Sequence, residues 1–531
     1  MSEQEILTAK FEKVVKHYLI SCHEIEKKRN ELEEIRNKVE KQHNNVSDKA
    51  KKDETENTLK ELKYKIMNLN NNVPEMEVRF GTNPKTIKPI THVDYLHIVD
   101  LLYAHGWKPV DNNVKGKNFL RIIPETVKQL VNENGKTNED NPQVYKVTMS
   151  KIRAEIFDTY LIQDYCNHND LEKMKTKYTK SQMKFTEKNS VKDNSTEEYF
   201  NKVEFPDYNF NVSYQWEKDY TMNSNDIRIS KIFNDWNVSK KIFRSINRVR
   251  FEHSKYPVYV DLSIVKTNRK YGTKYGKGKY PLPTLTIQDA DVFNTQPVYE
   301  VELEMNNDKM KLYQQNEKSF ALLMKEIRQC IRIVLSGLQG TPYPISYKEQ
   351  TQILEEYMIY THGEKWIEAK KPEPYFIGPN SIALQLANIA QERNNLESVP
   401  SILSRYTVTE KADGERCLLY ISKTGMAYLI SYSMKVMFTG SRTDEKECWN
   451  SIVDGELIMY DKNRNLIFLF AAFDIYFIGG RKKNHNVRDL TFASYTDEPM
   501  TETRLSLLKT FYSIIKLTPV TKNIRILVNS I

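Results

Sequence analysis

Two stretches of this chain place carboxylates on alternate residues. Glu75-Met76-Glu77-Val78-Arg79-Phe80 puts Glu75, Glu77 and Arg79 on one face of a strand and Met76, Val78 and Phe80 on the other. Far downstream, Tyr299-Glu300-Val301-Glu302-Leu303-Glu304-Met305 repeats the device with three glutamates. An ordinary amphipathic strand would turn these side chains to water. Like charges on one strand face repel by roughly 3 kcal/mol per close pair at an effective dielectric near 20, and solvent and salt reduce that greatly at a surface. Taken together, the two strands supply the oxygen-rich donor set that a hard divalent cation takes.

A third stretch is basic. In Arg244-Ser245-Ile246-Asn247-Arg248-Val249-Arg250 the three arginines share parity, and Lys266 ends the next strand, which starts at Val258. Guanidinium forks match phosphate oxygens. A barrel with metal-holding carboxylates on one wall and arginines on another would grip a triphosphate. The metal would polarise the terminal phosphoryl group while the arginines neutralise its spreading charge.

The other chemistry-bearing run is Glu410-Lys411-Ala412-Asp413-Gly414-Glu415-Arg416. Asp-Gly is a turn pair, so a surface turn accounts for it in isolation. About forty residues later comes Val453-Asp454-Gly455-Glu456-Leu457, and then an apolar strand with a single acid, Phe468 to Tyr476, carrying Phe473-Asp474.

Glu-x-Glu-x-Arg, a basic strand and Glu-x-Glu-x-Glu, in that order over about 73–310, resemble the metal-dependent triphosphate tunnel enzymes, and among them the RNA triphosphatases of fungal and large-DNA-virus capping systems. The resemblance implies that Glu75, Glu77, Glu302 and Glu304, with Glu300 in the same motif, bind Mg²⁺ or Mn²⁺. It implies a catalytic part for Glu77, Glu304, Arg244 and Arg248, and substrate contacts for Arg79, Arg250 and Lys266. The family's basic strand commonly reads Arg-x-Lys-x-Arg; here Ile246 replaces the middle cation. The stretch from Lys151 to Cys166 is also similar to capping proteins of large DNA viruses, which makes Arg153 a phosphate ligand by that similarity.

The order Lys411-x-Asp-Gly, Asp454-Gly455-Glu456, Phe473-Asp474 resembles motifs I, III and IIIa of covalent nucleotidyltransferases, the capping enzymes and polynucleotide ligases. That resemblance implies Lys411 as the nucleophile toward the α-phosphate of GTP, its amine activated by nearby cations. Asp413 and Gly414 belong to the same motif. Arg416 would meet the ribose, Glu456 the nucleotide or metal, Phe473 the base, and Asp474 the metal site. Phe376-Ile377-Gly378-Pro379 and Thr439-Gly440 again resemble large-DNA-virus capping enzymes. A later Asp-Gly and a lysine-rich motif V are not found; Arg481-Lys482-Lys483 comes too early. An incomplete transferase is therefore expected, finished by a downstream segment or another chain, which by the same resemblance would bring a methyltransferase. The implied partners are 5′-triphosphate RNA and GTP, and the implied setting is a cytoplasmic viral factory or virion. Two readings stand beside capping: an ATP-dependent polynucleotide ligase with an accessory barrel, and a non-catalytic scaffold that binds RNA.

The elements that must position these residues follow from patterning. Residues 1–70 read as a helical segment, a solvated hairpin or short coiled coil. Strands are expected at 75–80, 118–123, 144–149, 151–157, 210–217, 240–251, 258–266, 284–287 and 298–305, which suggests an antiparallel barrel over 71–340. The polar stretch 167–198 reads as a mobile insertion and 308–338 as one helix. Residues 341–370 read as a connection with one helix inside. Residues 371–531 read as the transferase domain, with strands at 405–410, 416–421, 427–432, 452–460 and 466–476 and a helix at 501–516. The fold class is α+β.

Composition adds limits. With 39% hydrophobic residues the chain can build real cores, and its Lys+Arg of 79 against Asp+Glu of 70 is only a mild basic excess. The five cysteines are scattered, odd in number and form no C-x-x-C pair, so no disulfide framework or zinc site is expected and a reducing compartment fits best. The longest apolar run, Leu466 to Ile478, is broken by Asp474 and falls short of the ~20 residues of a membrane span. A soluble, cytosolic chain is expected.

Overall fold

The structure, a computed structural model, describes residues 3–45, 49–81, 89–129, 145–175, 177, 182–193, 196–270, 281–363, 373–389, 401–403, 406–409, 411–463, 466–480, 485–495 and 502–520. The chain divides into two compact units, Met1–Val334 and Leu335–Ile531.

The first unit begins with α1 (Glu3–Asn45) and α2 (Lys49–Asn70), then β1 (Asn72–Phe80), α3 (His92–Ala104), β2 (Lys108–Pro109), β3 (Lys117–Gln129), β4 (Tyr145–Met149) and β5 (Ile152–Phe157). It continues with α4 (Thr159–His168), α5 (Leu171–Lys175), β6 (Met183–Ser190), β7 (Val203–Phe205), β8 (Phe210–Thr221), α6 (Ile227–Asn234), β9 (Lys241–Glu252), β10 (Val258–Thr267), α7 (Ile287–Ala290) and β11 (Val298–Met305). Antiparallel pairing runs β9-β10-β11-β1-β8-β6-β5-β3, and β3 pairs back onto β9. Eight strands therefore close into a barrel with no open edge within the ring.

The barrel's apolar faces point outward. Met76, Val78 and Phe80 of β1 are buried, as are Phe11, Val14, Val15, Tyr18 and Leu19 of α1, which packs on that strand. Leu120, Ile122, Ala154, Ile156, Phe185 and Phe243 form another outer core with residues of α4, α6 and α7. Alternation then turns the opposite faces, which carry Glu75, Glu77, Arg153, Lys188, Arg248 and Glu304, into the lumen.

Several expectations need correction. The first half of α1 is not a solvated hairpin: Tyr214 Oη donates to Ser21 Oγ at 2.9 Å and Tyr18 Oη donates to Asn307 Oδ1, tying the helix to the barrel. Only the distal part pairs with α2 alone. The polar stretch 167–198 contains β6, a full barrel strand between β5 and β8. It read as loop because its lumen-facing Lys184, Thr186 and Lys188 look like solvent-facing residues. The strand expected at 284–287 is only an isolated bridge between Thr284 and Lys241, and Ile287 opens the short α7, with the Thr286 side chain accepting from Asp289 N. The helix expected at 308–338 is interrupted: a 3₁₀ segment, Asn307–Leu312, precedes α8 (Glu317–Gln339), and Asn316 Oδ1 accepts from Ser319 N at 2.9 Å to cap it.

The second unit holds α9 (Tyr347–His362), α10 (Leu386–Ile389), β12 (Glu415–Ile421), β13 (Met426–Ser431), β14 (Val436–Arg442), β15 (Ile452–Tyr460), β16 (Leu466–Phe477), α11 (Arg504–Ile514) and β17 (Thr518–Pro519). The sheet order is β16-β15-β12-β13-β14-β17. Residues expected to be a connection supply core instead: Tyr343, Ile345, Ile353, Tyr357 and Met358 pack on Leu418, Tyr420 and Ile430. On the other face Leu508 and Phe511 of α11 pack on Cys417, Leu419 and Val453. Burial on both faces explains why β12 reads as a continuous apolar run. No strand forms at 406–409, and β14 was not anticipated.

Candidate active sites

The barrel lumen is lined by charge. On its acidic side, β1 and β11 place Glu77 opposite Glu304 and Arg79 opposite Glu302. Arg79 Nε lies 3.0 Å from Glu77 and 3.0 Å from Glu302. Lys188 Nζ of β6 lies 2.6 Å from both Glu75 and Glu77; the Glu75 contact is a close ion pair off the hydrogen-bond direction.

The arginines of β9 are each paired. Arg244 donates to both oxygens of Glu300 at 2.5 and 2.7 Å. Arg248 reaches Asp261 at 2.9 Å, Glu302 at 3.2 Å and Ser263 Oγ at 2.9 Å. Arg250 grips Asp261 with two donors at 2.7 Å and also contacts Glu304. Arg153 of β5 meets Glu155 at 3.1 Å and Glu217 at 3.3 Å. Lys266 does not join them. Its register partner is Ser245, on the outer face, and its Nζ donates to the Phe293 carbonyl at 2.7 Å.

Burial and the neighbouring Glu77 push the Glu75 carboxyl well above its usual range. Burial acts the same way on Glu77, but Lys188 and Arg79 outweigh it and hold that carboxyl well below. Glu304 is pushed up to about 7, by burial first, with Arg250 opposing and Asp261 and Glu77 adding to it. Glu75 and Glu304 are thus the carboxyls that resist ionisation, and the acidic side of the lumen offers oxygen donors of the kind a hard divalent cation takes. Among the described residues no three metal-ligating side chains converge on one point; Lys188 and Arg79 take up the carboxylate oxygens.

Sequence reasoning missed Lys188, Glu217, Asp261, Arg121 and Glu155. Asp261-Leu262-Ser263 carried a usable signal, since it alternates within an anticipated strand. Lys188 was hidden in the supposed insertion.

In the second unit, Lys411 and Asp413 are exposed in the irregular segment just before β12. Gly414 lies so close to β15 that a Cβ would sit 2.7 Å from the Leu457 carbonyl. Arg416 donates to both oxygens of the fully buried Asp454, at 3.2 and 2.6 Å, and to the Pro379 carbonyl at 2.6 Å. Tyr476 Oη donates to the same carboxylate at 2.6 Å. The guanidinium lies over two rings, Phe376 at 5.2 Å and Phe473 at 5.8 Å. Gly378 is required beside it, because a Cβ there would meet Phe376, Arg416 and Asp454 within 2.8 Å. Glu456, opposite Arg416 in the β12–β15 register, has a buried Oε2 with no hydrogen-bond partner. Asp474 is bound by Arg504 of α11 at 2.8 and 3.2 Å, an anchor for that helix. Arg481, Lys482, Lys483 and Glu410 lie outside the described residues.

One unit thus holds a barrel whose lumen is lined by charge, and the other an exposed Lys411 just before β12, which pairs with the Asp454-Gly455-Glu456 strand. Residues 350–512 match the family described as mRNA capping enzyme, catalytic domain. A protein of Acanthamoeba polyphaga mimivirus described as "Probable mRNA-capping enzyme" is 28% identical over 204 residues, 36% of this chain and 14% of that protein. The chain thus spans about 14% of the length of the curated relative it matches. A solved structure titled "Triclinic structure of Mimivirus Capping Enzyme Triphosphatase at 1.65 A" aligns with 15% identity, covering 48% of this chain and 88% of that one, at a TM-score of 0.28. That score is too low to bear weight, and the closed barrel rests on the strand pairing itself. Over these segments the chain is similar to mRNA-capping enzymes, one of them viral. Among the described residues no helix is long and apolar enough to cross a membrane.

Proposed function

We propose that this chain carries out the first steps of mRNA capping in a viral factory or virion. In the barrel, water attacks the γ-phosphorus of a 5′-triphosphate RNA, and diphosphate-ended RNA and inorganic phosphate leave. Arg153, Arg244, Arg248 and Arg250 hold the phosphate oxygens and neutralise charge as it spreads in the transition state. Glu75, Glu77, Glu302 and Glu304 would hold Mg²⁺ or Mn²⁺, which supplies Lewis-acid polarisation of the terminal phosphoryl group when bound.

In the second unit, once a downstream segment or another chain completes the transferase, Lys411 Nζ attacks the α-phosphate of GTP as the free amine. Pyrophosphate leaves, and the GMP held on Lys411 passes to the diphosphate end. Arg416, fixed by Asp454 and Tyr476, meets the nucleotide, Phe473 lies beside it, and the unpartnered Glu456 oxygen offers an acceptor. GTP is favoured over ATP because a phosphatase-like barrel stands upstream in the same chain.

The observation that carries this reading is the closed lumen with carboxylates and guanidiniums on facing walls. The test is phosphate release from triphosphate-ended RNA with Mg²⁺ or Mn²⁺, for the wild type, Glu77→Ala and Glu304→Ala. Metal-dependent release lost in both variants supports the barrel step. No release by the wild type with either metal overturns it.

A further inference from the structure

The charged lumen carries one apolar stripe. Phe157 of β5, Phe119 of β3, Ile246 of β9 and Val265 of β10 are register partners in series. They take the inward positions of their strands, since their neighbours Ile156 and Leu120 belong to the outer core and Lys266 lies outside. The four pack together as a small cluster within the barrel. Charged rows flank the stripe: Glu155, Arg121 and Arg244 on one side, Lys117 and Arg248 with Ser263 on the other.

Phe119 meets both rows. Its ring centre lies 5.7 Å from the guanidinium carbon of Arg121 and 5.6 Å from that of Arg248. Those distances fall within the ~6 Å over which a cation is drawn to the face of an aromatic ring. The ring is only 6% exposed, and the attraction is largest where water is excluded. Both guanidiniums are also hydrogen-bonded through their edges. Arg121 Nε donates to Glu155 at 2.8 Å, and Arg248 Nε donates to Ser263 Oγ at 2.9 Å. The terminal nitrogens of Arg248 lie 2.9 Å from Asp261 and 3.2 Å from Glu302. Bonds in the plane of a guanidinium hold it against sliding, but they resist tilting poorly. A ring face supplies that resistance, and Phe119 is itself held by Phe157, Ile246 and Val265.

We propose that Phe119 is a positioning residue for phosphoryl transfer in the lumen. Its ring face sets the tilt of Arg248, with Arg121 as its second cation. This deepens the phosphatase reading of the barrel and rests on it. The bound triphosphate meets the same charges at either tilt, whereas charge that spreads during transfer is stabilised only by donors already aimed at it. The effect therefore belongs to kcat.

The experiment replaces Phe119 in the full chain by mono-, di- and trifluorinated phenylalanine, which withdraws negative charge from the ring face at nearly constant shape. Phosphate release from triphosphate-ended RNA with Mg²⁺ or Mn²⁺ gives kcat and KM for each protein. Phe119→Leu and Phe119→Tyr are measured alongside, with thermal melts to confirm folding. We expect kcat to fall stepwise with fluorination, reaching a loss of roughly 10-fold in the trifluorinated protein, the scale of a desolvated cation–π contact. KM moves by less than about twofold. Phe119→Leu loses as much, and Phe119→Tyr, which keeps the ring, stays near the wild type. The fluorinated series keeps the packing, so it still answers where the leucine variant does not fold. A flat kcat across the series overturns the proposal even if Phe119→Leu is impaired, because the ring then only fills space. A rise in KM with kcat unchanged overturns it as well. No release by the wild type removes the phosphatase reading itself, whereas an active wild type with a flat series removes this inference alone.

Discussion

Lys188 and Glu77 meet at 2.6 Å inside the barrel, joining a strand with no recognisable motif to the first glutamate pair. The same ammonium lies 2.6 Å from Glu75, so a single cation serves two buried carboxylates. Removing it leaves Glu75 and Glu77 facing each other with Arg79 as the remaining close partner of Glu77. Lys188→Met is expected to cost about 3 kcal/mol of unfolding free energy, as for other broken buried pairs. Added Mn²⁺ should recover part of it, by bringing positive charge back to the carboxylates. Denaturant melts with EDTA and with Mn²⁺ check this. A variant as stable as the wild type in EDTA contradicts it.

Asp454 has no exposed surface, and its partners are Arg416 and Tyr476. Arg416→Ala leaves a buried carboxylate with a single hydroxyl donor. The expected loss is about 3 kcal/mol, together with loss of the guanidinium beside the Phe376 and Phe473 rings. Arg416→Lys should restore little, since one ammonium cannot reproduce a two-pronged contact. Melting temperatures and GMP adduct formation in the same preparations provide the measurement.

Burial raises the Glu155 carboxyl, but Arg121 and Arg153 outweigh it and hold it at about 2. A depressed folded value means that the unfolded chain binds the proton more readily, so acid favours unfolding. This contribution to stability is complete above about pH 4.5 and is lost as pH falls toward 2. Acid unfolding followed by circular dichroism should show a shallower dependence in Glu155→Gln over that window.

Lys411 is exposed, so its substitution should separate chemistry from stability. Lys411→Ala is expected to abolish the covalent GMP adduct while shifting unfolding by no more than about 0.5 kcal/mol. Labelled GTP followed by denaturing electrophoresis reads the first quantity, and a melt reads the second. An adduct that persists in Lys411→Ala assigns the nucleophile elsewhere.

Gly414 lies against the β15 backbone, where a Cβ would come 2.7 Å from the Leu457 carbonyl oxygen. Gly414→Ala must therefore push the Lys411–Asp413 segment away from β15. Adduct formation should fall roughly 10- to 100-fold, the scale expected for a displaced nucleophile, with Lys411 itself intact. Single-turnover rates measure it.

Much of the barrel was legible because alternation is a local property. Seven of the anticipated strand ranges between 75 and 305 overlap barrel strands of the ring, and Glu77 of β1 sits in register opposite Glu304 of β11. The failures share one cause. An inverted barrel buries its polar face, so β6, with Lys184, Thr186 and Lys188 inward, has the composition of a loop. Lys266 failed for the complementary reason: it belongs to an anticipated strand, but its parity places it outside.

By itself the sequence determined the carboxylate strands, the basic strand and the order of Lys411, Asp454 and Phe473, because residue type and spacing of two depend on neighbours along the chain. Only the tertiary structure decided which walls face one another. Ring closure through β3 and β9 brings Arg121 and Glu155 opposite β1 and β11, and pairing of β12 with β15 sets Arg416 and Asp454 close enough for ion pairing, 38 residues apart in the chain. Those contacts are non-local, and no local pattern encodes them.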